Sequence, residues 1–250
     1  MPKIIDFLFK NKKINNLIYI LFFFAVYCAI IIGEGWDESF HILQGKVILN
    51  YLFSFGNIDE KILYRENYSA SYWSFAYLII KMFPTDFQLQ ASHLVNTFFS
   101  ILTIFGLRKL AGRLFNSEVG KLAFLILFFY PVFFGHMAIN SKDTILAFSH
   151  IWITYYLYEY LLNLNKEEKS KYVWRIGILA SIGTGIQMVF LGSLIPVIIF
   201  FLFFFIYSKK KKFKTKFLIF DIIKCFIIFY LSLLFFWIDA YQNLIILPFT

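Results

Sequence analysis

Two short stretches gather the side chains best suited to chemistry. The first, Gly33-Glu34-Gly35-Trp36-Asp37-Glu38-Ser39-Phe40-His41, places three carboxylates and a histidine at the end of a charge-free apolar run. A helix beginning at Trp36 would set Asp37 and His41, four residues apart, on one face, with Gln44 a turn further on. An acid at that position suits a general base acting on an acceptor, or a cation site shared with His41. The same Asp37 and Glu38 also suit a plain helix N-terminus, with Ser39 helping to cap it. The second stretch runs from Phe133 to Asp143 and spaces His136, Asn140 and Asp143 by four and three. A continuous helix would align them, and a turn would still keep them in one loop. Asn140 or Ser141 is equally suited to capping a helix from Thr144, with Lys142 running its stem along apolar surface toward charged headgroups. A third cluster, Tyr64-Arg65-Glu66-Asn67-Tyr68, reads as an exposed loop whose useful member is Arg65, because a guanidinium near the headgroup plane binds phosphate well.

The elements that must position these residues follow from composition. The chain is 60% hydrophobic, has 35 Phe and a mean hydropathy of +0.70, more apolar side chain than a soluble domain of 250 residues can bury. A bilayer core of about 30 Å needs roughly 20 helical residues. The run Ile14 to Gly33 meets that length without a charge, and it ends in Gly-Glu-Gly-Trp rather than at a cleavage site, so it reads as a retained anchor. Further spans are expected at about 87–107, 122–139, 144–162 and 217–238, the last carrying Asp221 and Lys224 near its start. The uncharged run from Ile176 to Ser208 is too long for one upright pass. Turning it back near Gly192-Ser193 places the N-terminal lysines, Arg108 to Lys121, Lys166 to Arg175 and the basic run 209–216 all on one side. These segments hold most of the 24 Lys and Arg, and that side is the cytoplasm. Seven passes result. The net charge of +9 then belongs to topology and anionic lipid, not to nucleic acid. Cys28 and Cys225 lie in apolar runs and say nothing about disulfides.

On this topology the Asp37 stretch opens a non-cytoplasmic loop, 34–86, too long to be a connector. Within it, 38–52 reads as an amphipathic helix and 72–83 as an apolar segment too short to cross, both expected along the membrane surface and together roofing a cavity. No repeat or linker divides the chain, so 1–250 is read as one domain. His93 and His150, inside spans, are expected to be interhelical hydrogen-bonders. Gly183-Thr184-Gly185 is no phosphate loop, since it lies in a span without the lysine such loops need. The spans hold no central carboxylate, which argues against a proton-coupled transporter.

The segments "WDESFHILQGK" and, about ninety residues on, "YPVFFGHMAINSKDTILAF" together resemble the first half of the dolichyl-phosphate-mannose protein mannosyltransferase-like glycosyltransferases, members of the integral-membrane GT-C superfamily. Ser141 stands where that family usually has proline. The chain ends at Ile246-Leu247-Pro248-Phe249-Thr250, before the further spans such enzymes carry, so C-terminal truncation is expected. The resemblance implies an all-α, polytopic, GT-C-like transmembrane bundle. It also implies transfer of a sugar from a polyprenyl-phosphate-linked donor to a hydroxyl of a glycan, lipid or protein acceptor outside the cytoplasm, at a bacterial inner membrane with the site facing the periplasm. Asp37 would then be the general base, Glu38 would orient acceptor or sugar, and Asp143 would contact sugar hydroxyls or tune Asp37. Lys142 and Arg65 would neutralise the phosphate, with His41, His136 and Asn140 lining the substrate site. No cofactor is called for; a divalent metal among Asp37, His41, His136 and Asp143 is a minor alternative without diagnostic spacing. The competing functions are an inactive truncated scaffold that binds polyprenyl lipid, and a transporter fragment.

Overall fold

Where Tyr130 meets Pro131 the apolar run expected to form one span at 122–139 is interrupted. Helix continues only to Phe128 and restarts at Pro131, which stands at the first position of a six-residue helix. Proline has no N–H to bond back to the preceding turn, so it suits a helix start and is costly within one. The first piece has 12 residues, about 18 Å, and cannot cross a bilayer alone.

A computed structural model describes residues 12–54, 71–164, 169–207 and 215–235. The regular structure among those residues is all helical, with no strand. The helices are α1 Lys12–Ile31, α2 Glu38–Phe53, α3 Ser71–Ile80, α4 Gln88–Leu114, α5 Ser117–Phe128, α6 Pro131–His136, α7 Ser141–Leu162, α8 Ser170–Ile186, α9 Phe190–Tyr207 and α10 Thr215–Phe235. Among the described residues two helical stretches are long and apolar enough to cross a membrane, Thr85–Leu114 and Leu218–Phe235. Asn16–Ile31, Ser71–Ile80 and Phe190–Phe204 are shorter apolar helices. The chain divides into two compact units, Met1–Ser39 with Ile79–Thr144 and Phe40–Leu78 with Ile145–Thr250.

In the first unit α1 buries Ile18, Leu21 and Ala25, spaced for one helical face, against Ile101 and Ile104 of α4, Phe124 and Phe128 of α5, and Met137. Tyr19, Ile20, Phe23, Tyr27 and Ile30 are left exposed, a surface suited to lipid rather than water. Asn116 caps α5, its side-chain oxygen accepting from the N–H groups of Glu118 and Val119 at 3.0 Å each. Helices α4 and α5 cross where Gly120 faces Gly112; a Cβ on Gly120 would lie 2.6 Å from the Arg108 carbonyl oxygen.

The second unit stacks α8 between α9 and α10 around Ile153, Leu179, Phe190, Leu194, Phe229 and Leu233. The chain reverses at 187–189, five residues before the expected Gly192-Ser193, because Gln187 turns extended and the Phe190 ring packs onto Gly183, leaving Gly192 inside α9. The charge in α10 is neutralised locally: Asp221 accepts from Lys169 Nζ at 2.7 Å and from the Tyr160 hydroxyl at 2.8 Å. Helices α2 and α3 form where expected, yet α2 does not divide into one apolar and one polar face. Helix α2 buries Gln44 with Val47 and Leu49 while exposing Leu43 and Phe53. Helix α3 buries Ser71, Tyr72, Trp73, Ser74 and Ala76 against the protein and leaves Phe75 exposed.

Candidate functional site

The first of the two chemical stretches does not start its helix at Trp36. Residues 36 and 37 form a turn, Glu38 N–H donates to the Gly35 carbonyl at 3.2 Å, and α2 begins at Glu38. Asp37 therefore stands outside the helix, and the face it was expected to share with His41 does not form. Its carboxylate is exposed. Glu38 points the other way. It is 2% exposed, and its Oε2 accepts from the Gly35 N–H at 2.9 Å and meets His93 Nε2 at 2.8 Å. The other ring nitrogen, Nδ1, lies 3.0 Å from the Ala29 carbonyl oxygen. A carbonyl can only accept, so Nδ1 carries hydrogen, and one further proton sits between Nε2 and Oε2 whichever atom owns it. The buried Glu38 Oε1 has no hydrogen-bond partner.

The second stretch brings its three residues together as the spacing implied. Asn140 donates from Nδ2 to Asp143 Oδ2 at 2.9 Å and accepts the Asp143 N–H on Oδ1 at 3.0 Å, while its Nδ2 lies 3.4 Å from His136 Nδ1. This reciprocal pairing is a helix cap, so α7 begins at Ser141 rather than Thr144. The cap also fixes the carboxylate: Asp143 stays exposed at the third helical position with one oxygen held by Asn140. Lys142 is half-buried beside it.

Residues 33–39 of the first stretch and the whole of the second lie in the first unit, and they touch. A Cβ on Gly35 would come 3.0 Å from Ile139 Cβ and 3.1 Å from the Ile139 carbonyl oxygen, so the absent side chain lets the two loops abut. Both are tied to α4. Besides His93, Asn96 donates from Nδ2 to the Ala138 carbonyl at 2.9 Å and Ser100 donates to the Met137 carbonyl at 3.0 Å. His93 acts as the hydrogen-bonder its place in a span implied, as does His150, whose Nε2 lies 3.2 Å from the Ser193 carbonyl. Asn96 and Ser100 were overlooked in the sequence. Their signal was a row of polar residues at helical spacing, Ser92, His93, Asn96, Thr97, Ser100 and Thr103, inside an apolar run; all six are buried.

His41 belongs to the second unit, where its ring stacks on Trp73 with centroids 4.2 Å apart and its Nδ1 lies 3.3 Å from Gln44 Oε1. Arg65 lies outside the described residues. Among the described residues no three His, Cys, Asp or Glu side chains converge to hold a metal ion.

A model of the dolichyl-phosphate-mannose-protein mannosyltransferase family matches residues 72–236. The matched segment takes in the Asp143 stretch and all of α4, and stops short of Asp37. No curated protein and no solved structure matches the chain.

Proposed function

The chain belongs to the dolichyl-phosphate-mannose-protein mannosyltransferase family, membrane glycosyltransferases of the mannosyltransferase type; from that premise we propose that it moves a sugar from a polyprenyl-phosphate-linked donor to an acceptor hydroxyl on the non-cytoplasmic face of a cell membrane, within a seven-span GT-C-like bundle. The observation that carries this reading is the abutment of the two loops at Gly35 and Ile139, with Asp37 and Asp143 both exposed and the residues behind them buried.

In the reaction the acceptor oxygen attacks the anomeric carbon as the bond from that carbon to the donor phosphate oxygen breaks. The hydroxyl proton passes to Asp37, which its solvent-facing turn leaves free of the helix and available as a base. The polyprenyl phosphate departs with its negative charge met by Lys142 and Arg65, cations whose pull is strong where water is scarce. Asp143, held by Asn140 with His136 behind it, presents an acceptor to sugar hydroxyls in a fixed orientation. Glu38 is turned inward toward His93, which favours an indirect part for it.

Incubating membranes that contain the protein with a panel of labelled polyprenyl-phosphate sugars tests the reading. One donor should give label transfer that falls by about 100-fold in Asp37→Asn, the expected cost of a lost general base. Donor binding without transfer from any member of the panel would replace the enzyme with the lipid-binding scaffold.

A further inference from the structure

Helix α4 carries more buried polar groups than a lipid-embedded helix needs for its own stability. Each must find a partner or cost free energy. Thr103 turns back to the Phe99 carbonyl of its own helix at 3.0 Å. His93, Asn96 and Ser100 instead reach outward, to the end of α1 and to the two site loops. His93 takes the Ala29 carbonyl, one of the last carbonyls of α1 that no helical N–H satisfies, together with Glu38. Asn96 and Ser100 take the carbonyls of Ala138 and Met137, in the turn that leads to Asn140, Lys142 and Asp143.

We propose that His93 and Asn96 are positioning residues for the transfer reaction: His93, through Glu38 and Gly35, sets the turn that carries Asp37, and Asn96, assisted by Ser100, sets the turn that carries Lys142 and Asp143. The inference rests on the transfer reaction proposed above and reassigns Glu38 from a substrate contact to a brace. The two anchors lie three residues apart on one helix, nearly one turn, so the two loops share a single rigid reference.

The proton arithmetic makes the brace sensitive to a change of a single atom. With Glu38 and His93 in place, the Ala29, Gly35 and Nε2 to Oε2 bonds are all made with one shared proton. Glu38→Gln cannot keep all three. An amide oxygen at the Oε2 position retains the Gly35 N–H but requires both ring nitrogens to be protonated, a buried imidazolium with no counter-charge. An amide nitrogen there suits a neutral ring but opposes the Gly35 N–H.

The experiment measures kcat and donor KM, with the labelled donor that the wild type uses, for Glu38→Gln, His93→Gln and Asn96→Leu, each also combined with Asp37→Asn. Hydrogen exchange is followed at the Gly35 amide. A displaced base lowers kcat by about 10-fold or more while donor KM stays within about twofold, since small misplacements cost rate before they cost binding. In the Asp37→Asn background the first two substitutions should then cost almost nothing further, whereas Asn96→Leu should retain its full effect. The Gly35 amide should be protected in the wild type and exchange faster in Glu38→Gln. If Glu38→Gln costs as much with Asp37→Asn as without it, Glu38 acts independently of Asp37 and the proposal is wrong. If the variants do not fold, a rapidly exchanging Gly35 amide in the wild type overturns the proposal and a protected one sustains it. An Asp37→Asn protein with normal turnover would instead sink the catalytic reading, while the exchange data would still report on the brace.

Discussion

Gly45→Ala offers the sharpest test of the packing argument, because local propensity and tertiary structure predict opposite signs. Gly45 is a buried residue within α2, and on helix propensity alone alanine there should stabilise by about 1 kcal/mol. In the fold the new Cβ would overlap the Trp73 carbonyl oxygen, stand 2.7 Å from the Trp73 carbonyl carbon and 3.1 Å from Tyr77 Cβ. Non-bonded carbons settle at about 3.5–4.0 Å, so α3 must retreat by about 1 Å. The obstacle is backbone, which no rotamer change can move aside, and overpacking of this kind costs about 1–3 kcal/mol. The retreat also opens the His41–Trp73 stack, now at 4.2 Å, which contributes about 0.5–1.5 kcal/mol. Set against the propensity gain, the net effect is a destabilisation of about 2 kcal/mol. Thermal unfolding in detergent, followed by helical circular dichroism together with Trp fluorescence, should show a lowered Tm. An unchanged or raised Tm would refute the close approach of α2 and α3 and the reasoning built on it.

Asn140→Ala should lower stability by about 1 kcal/mol through loss of the α7 cap, read as a Tm shift, and should reduce transfer by freeing Asp143. Lys142→Ala should raise the donor concentration at half-saturation while leaving that of the acceptor unchanged, and Arg65→Ala should do the same more weakly; unchanged donor saturation in both would move phosphate recognition to other residues. For topology, with Cys28 and Cys225 replaced, a cysteine at Glu34 should label with an impermeant reagent in intact cells and one at Ser117 only after permeabilisation. The reverse pattern would invert the membrane orientation on which the site assignment depends.

Much about this protein is local and was therefore open to reading from residues in order. The charge-free run before Gly33 needs only its own apolar side chains to be a helix, and its one-sided burial of Ile18, Leu21 and Ala25 follows from the 3.6-residue period. The cluster of His136, Asn140 and Asp143 lies within eight residues, so spacing alone put those side chains in one loop. What spacing left undecided was settled by competing partners far away in the chain. Asp37 and Glu38 are adjacent carboxylates with the same local propensities, and nothing local says which one turns inward. His93, 55 positions from Glu38, does so by offering a buried ring nitrogen. That bond pulls the Gly35–Glu38 turn away from the helix expected to start at Trp36. The close approach of α2 and α3 likewise depends on a distant pair, Gly45 admitting the Trp73 backbone, whereas the early reversal after Gln187 is more local, Gly183 admitting the Phe190 ring seven residues on. Sequence periodicity reports which residues prefer to be buried; only the assembled structure determines which partner buries them, because that choice is made by close contacts and shared protons between residues that the chain holds far apart.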